Sequence, residues 1–116
     1  MTLVEINGAE DEAPVRKLLG RRAISASNIE RVCDITRRGG INGGDLFYNF
    51  PTQSAVIVFY PMSSLGDKVN IYCHEKRHLE DRVMQFASVN DPEAAAFLAG
   101  FLGEKMWDFG FIQNKL

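Results

Sequence analysis

Ala55-Val56-Ile57-Val58-Phe59-Tyr60 is an unbroken apolar run, rich in β-branched and aromatic residues and bounded by Pro51-Thr52-Gln53 and Pro61. Such a run is a strand that belongs at the centre of a sheet, so the chain must supply neighbours for it and something to cover it. Leu46-Phe47-Tyr48-Asn49-Phe50 provides one neighbour across a tight connection. Val69-Asn70-Ile71-Tyr72-Cys73 alternates with period two and reads as another. Arg82–Val89 is read as a fourth strand, in preference to a helix on Leu79, Val83, Phe86 and Ala87, because the last helix begins immediately afterwards. A short strand through Thr2–Ile6 is only weakly marked and ends at Asn7-Gly8.

Three segments carry helical signals. Glu10–Leu19 opens with acidic residues that suit the helix dipole, admits Pro14 in its first turn, and closes at Gly20. The next begins at a capping box, Ser27 to Glu30, continues on the stripe Ile29, Val32, Cys33 and Thr36, and stops at Gly39-Gly40. The last is capped by Asp91 with Pro92 at its first position, and Phe97, Leu98, Phe101, Leu102 and Met106 form one broad apolar face to cover the sheet. The pattern predicts an α+β, two-layer domain: an antiparallel three- to four-stranded sheet covered by helices, in the order α-α-β-β-β-(β)-α. At 116 residues, with 46% hydrophobic and 24% charged side chains, the chain has the size and composition of one globular domain, residues 1–116.

No stretch approaches the roughly 20 apolar residues of a membrane span, and the N-terminus lacks the basic start and apolar middle of a secretory signal, so a cytoplasmic location is expected. Cys33 and Cys73 are read as two reduced, buried thiols, because a lone pair in a leaderless chain makes no disulfide framework.

One string spells a catalytic motif. His74-Glu75-Lys76-Arg77-His78 has the H-E-x-x-H spacing of zinc hydrolases, in which two histidines one helical turn apart face one metal and the glutamate polarises a bound water. The chemistry requires a helix. On the strand that Val69–Cys73 predicts, residues four apart lie roughly 13 Å from one another, too far to share an ion. His74 and His78 are the chain's only histidines, so a third ligand would be Asp91 or Glu93, and Lys76 and Arg77 would set two cations beside the metal. The motif is therefore read as a solvated hairpin end or helix start, with zinc as the alternative cofactor to none.

Charge is segregated along the chain. Residues 1–15 carry Glu5, Glu10, Asp11 and Glu12 with no basic side chain, whereas Arg16, Lys17, Arg21, Arg22, Arg31, Arg37 and Arg38 face only Glu30 and Asp34 over residues 16–38. Arginine-rich helices suit phosphate, but about seven residues separate the two helical patterns where a helix-turn-helix has three or four, and no aromatic is interleaved for base stacking. The run Arg37-Arg38-Gly39-Gly40-Ile41-Asn42-Gly43-Gly44 follows a helix rather than preceding one, which fits a helix stop better than a phosphate loop. Trp107, Phe109 and Phe111 after the last helix fold back on the core or anchor an interface. No serine has a base beside it and neither cysteine is activated. The reading that results is a small, non-catalytic protein-binding or regulatory module, contacting a protein partner or a second copy of itself through Arg31, Arg37, Arg38 and Trp107. Its alternatives are a zinc-dependent hydrolase using His74 and His78, and a nucleic-acid binder using residues 16–38.

Overall fold

The computed structural model describes residues 1–49, 51–88 and 90–108. The elements run Thr2–Glu5 (β1), Glu12–Arg21 (α1, entered through a 3-10 turn at Ala9–Asp11), Ala26–Arg37 (α2), Gly44–Asn49 (β2), Ser54–Phe59 (β3), Leu65–Ala87 (α3) and Pro92–Asp108 (α4). The class is α+β as expected, and β3 is the central strand of a sheet ordered β1-β3-β2. The sheet is mixed rather than antiparallel: β2 pairs antiparallel with β3, placing Leu46 opposite Ile57, while β1 runs parallel to β3 with Val4 opposite Val58.

Both faces of β3 are covered, which explains its continuous apolar sequence. Val56 and Val58 turn toward Val15, Leu19 and Val32 on α1 and α2. Ile57 and Phe59 turn the other way, toward Tyr72 on α3, and Ala55 meets Leu79 and Leu102 of α3 and α4. Helices therefore lie on both sides of the sheet, one layer more than the expected two, because the strand has no polar face to leave toward water.

The largest correction concerns residues 65–87. Val69–Cys73 and Arg82–Ala87, read as strands, lie in the single helix α3. Ser64 caps it: its Oγ accepts from the Asp67 amide at 3.0 Å and donates to Asp67 Oδ2 at 2.9 Å. Tyr72, Leu79 and Val83 then repeat at helical spacing against β3 and α4. Tertiary packing of that face overrides the strand preference of Val69-Asn70-Ile71-Tyr72. The helix ends at Ser88, in the left-handed conformation with φ 53°.

Smaller corrections have local causes. Ser25, not Ser27, caps α2 by accepting from the Asn28 amide at 3.3 Å. Gly20 lies inside α1, and Pro14 occupies its first turn as expected. Gly39-Gly40 does stop α2: Gly39 has φ 72°, and the amides of Gly39 and Gly40 bond to the carbonyls of Thr36 and Ile35 in a Schellman arrangement. Asp91 caps α4 through the Glu93 amide at 3.0 Å. Only one side of α4 faces inward; Leu102 is buried, whereas Phe97 and Phe101 are 74% and 53% exposed. Cys33 is buried and Cys73 exposed, and both are free thiols. Among the described residues no helix is long and apolar enough to cross a membrane.

Candidate active site

The helix that absorbs the expected strand also carries the H-E-x-x-H string. On α3 His74 and His78 stand one turn apart on an exposed face, and their Nε2 atoms are 3.2 Å from one another. Two imidazoles on one tetrahedral zinc, each with a bond of about 2.0–2.1 Å, hold their ligating nitrogens about 3.3 Å apart. The separation is compatible with a shared ion and is equally that of a hydrogen bond between the two rings. The rings meet edge to face, with centroids 4.8 Å apart.

Glu75 points the other way, into the protein. It follows Ile71 and precedes Leu79 at intervals of four, which puts it on the buried side of α3, and only 8% of it is exposed. Glu80, the other buried glutamate of this helix, pairs with Lys76 at 2.5 Å and with Arg77 at 3.4 Å. Glu75 has no ion-pair partner among the described residues. Burial therefore pushes its carboxyl above the ordinary range, and Asp45 adds to the shift while His74 and His78 oppose it.

Glu75 and His78 share a groove with Arg31 of α2, Asp45 and Leu46 of β2, and Arg82. Asp45 is fixed at its wall by Arg31 at 2.8 Å and by the Tyr60 hydroxyl, which donates to it at 2.7 Å. Burial first, then that hydrogen bond, raises the Tyr60 pKa, so the hydroxyl remains a donor. A larger depression continues from Leu46 and Arg82 along Phe47, Tyr48 and Asn49 of β2 to the α1–α2 turn at Arg22–Ser25. The two together follow the edge strand of the sheet.

Gly44 lets α3 lie this close. A side chain there would meet Ile71 Cγ2 at 2.8 Å, the Val58 carbonyl oxygen at 2.9 Å and Glu75 Cγ at 3.5 Å. The glycine run is thus a helix stop at one end and a close-approach position at the other.

The remaining expected site residues are placed elsewhere. Arg31 pairs with Asp45 and lies over the Phe47 ring, 5.7 Å from its centroid. Arg37 pairs with Glu12, and Arg38 with Asp34 at 3.1 Å. Arg16 joins Glu30, so the acidic N-terminal segment and the basic one partly neutralise each other within the fold. Trp107 falls in the last turn of α4, its side chain outside the described residues, as are Phe109 and Phe111. Asp91 and Glu93 stand at the head of α4, and Glu93 lies on its outer face with Phe97 and Phe101. Among the described residues no three His, Cys, Asp or Glu side chains are grouped to hold a metal ion, so neither carboxylate is brought to the histidine pair.

Comparison with protein-family models, curated proteins and solved structures finds no match. Asp45 and Arg82 are groove residues that the motif and charge pattern did not single out, and Tyr60 is the partner that holds Asp45. No local signal marks Asp45 and Tyr60, since their meeting depends on strand pairing.

Proposed function

We propose that the chain is a metal-dependent hydrolase whose centre is built on His74, Glu75 and His78. The observation that carries this reading is the 3.2 Å separation of the two imidazole nitrogens on one helix, which removes the objection raised by the expected strand. Bound between them, a zinc ion would supply Lewis acidity and bring the pKa of a coordinated water to about 7. His74 and His78 would hold the ion through their imidazole nitrogens. Glu75 lines the groove beside His78 and would serve there as the general base, a role suited by a carboxyl whose proton affinity burial raises, on condition that its side chain turns from the interior toward the histidine face. Catalytic zinc usually has a third protein ligand. Among the described residues none stands beside the pair, since the Asp91 carboxylate caps α4 and Glu93 lies on the outer face of that helix.

The groove along β2 supports a substrate in extended form, since an edge strand offers backbone groups for pairing and the walls carry both signs of charge. An extended polypeptide fits that geometry. Incubating the zinc-loaded protein with unfolded casein, and following new amino termini, tests the reading. Cleavage should be lost in Glu75→Gln while zinc content is unchanged; equal cleavage by wild type and Glu75→Gln would overturn it.

A further inference from the structure

The larger depression along β2 carries a charge pattern that the metal chemistry does not use. Its volume is about 510 Å³, in the range of pockets that hold a ligand. Two arginines reach it from helices on opposite sides of the sheet, Arg22 at the C-terminal cap of α1 and Arg82 in α3. Among the described residues no aspartate or glutamate lines it. Other arginines of the molecule are matched: Arg16, Arg31, Arg37, Arg38 and Arg77 each pair with a carboxylate. Arg22 and Arg82 have no such partner among the described residues. In a chain with 15 acidic against 13 basic side chains, two unmatched cations around one hollow leave a positive field there that an anion would complete.

The shape of the depression selects among anions. Ile24, Phe47 and Val56 form an apolar wall on the α1–α2 side of the edge strand, and Leu46 lines it from the α3 side. Asn28 adds a carboxamide donor. Leu46 and Arg82 also line the groove of Glu75 and His78, so the two depressions form one trough, with Arg82 at their junction and Arg22 beyond it. An occupant that touches both His78 and Arg22 is a chain rather than a free ion, and the apolar wall receives its uncharged side chains. We infer that the trough selects acidic polypeptide: a glutamate or aspartate side chain of the extended substrate sits between Arg22 and Arg82, within about four residues of the bond held at the histidines, given a rise of about 3.4 Å per residue along β2. Guanidinium groups suit this task, because their N–H donors meet both oxygens of a carboxylate. The inference rests on substrate lying along β2, as proposed above, and adds the chemical class of that substrate.

Fluorescence anisotropy tests the inference, with far-UV circular dichroism as the check on folding. Short labelled, unstructured peptides that differ only in a central pair of Glu, Gln or Lys are titrated with the full Glu75→Gln chain, so that binding is read without cutting. The glutamate peptide should bind about tenfold or more tightly than the glutamine peptide, and the lysine peptide more weakly than either. Arg22→Gln and Arg82→Gln should each reduce that preference, and together abolish it. Arg21→Gln removes the same charge from an exposed position outside the depression and should leave the preference intact. Equal binding of the glutamate and glutamine peptides, or binding of neither, overturns the inference. So does a loss in Arg21→Gln equal to that in Arg22→Gln, which would reveal a diffuse field rather than a site. Failure of the hydrolase reading is seen separately: absence of casein cleavage leaves these affinities untouched, whereas cleavage without acidic residues near the new termini overturns the acidic preference and spares the hydrolase.

Discussion

The Tyr72 hydroxyl donates a hydrogen bond to the Leu102 carbonyl oxygen at 2.5 Å, joining the motif-bearing helix α3 to α4 inside the core. Tyr72 is fully buried and its ring stacks on Phe59 with centroids 6.1 Å apart, so it ties α4 and the central strand to the residues just before His74. Tyr72→Phe keeps the ring and removes the bond, and should cost about 1 kcal/mol in urea denaturation. Burial, followed by the charges of Cys73 and Glu80, pushes the Tyr72 pKa up to about 12. Because the folded protein holds this proton more tightly than the unfolded chain, wild type should lose stability as pH rises from the ordinary tyrosine value of about 10 to the raised one. Tyr72→Phe should lack that alkaline loss; an identical pH profile in the variant would contradict the assignment.

At Gly44 the strand β2 lies close against Ile71 and Glu75 of α3. Gly44→Ala forces the new methyl against the Val58 carbonyl oxygen and Ile71, which must shift, and the change should cost about 1–3 kcal/mol as overpacking does. It should also displace Glu75 and depress hydrolysis more than a surface substitution of equal stability cost. A neutral Gly44→Ala would show that the helix stands farther from the strand.

Ser64 begins α3. Ser64→Ala removes the acceptor for the Asp67 amide and should destabilise the protein by about 1 kcal/mol, with loss of amide protection confined to the first turn of α3. If residues 69–73 were a strand, the substitution would change nothing there.

α1 and α2 are clamped by the ion pair of Arg16 with Glu30. The hydrogen bond from Arg16, then its charge, holds the Glu30 carboxyl below the ordinary range. A lowered folded-state pKa gives stability that is present above the ordinary glutamate value and is lost as pH falls through the lowered one. Glu30→Gln should therefore lose less stability than wild type over that acid interval, and the difference should shrink in high salt because the pair is exposed. Superimposable acid-denaturation curves would exclude the clamp.

What the sequence disclosed was governed by how local each signal is. The Ala55–Tyr60 strand, the stop at Gly39-Gly40 and the Asp91-Pro92 start of α4 are each written in adjacent residues and stand as expected. The segment 69–73 misled because β-branched and aromatic residues suit a strand locally, while the cap that makes it a helix lies five residues upstream at Ser64. The parallel pairing of β1 leaves no local trace, since it depends on a partner more than fifty residues away. For the site, H-E-x-x-H named the histidines from spacing alone. Its worth turned on the helix assignment, and the groove around Glu75 required the tertiary fold to bring Arg31, Asp45 and Tyr60 together.

Elemental analysis of the purified chain after equilibration with zinc buffer and removal of free metal tests the metal centre most directly. The account predicts about one zinc per chain in wild type and in Glu75→Gln, and loss of that zinc in both His74→Ala and His78→Ala, with all four proteins equally folded. Zinc at background level in wild type, or zinc retained when either histidine is removed, would contradict a metal centre on His74 and His78.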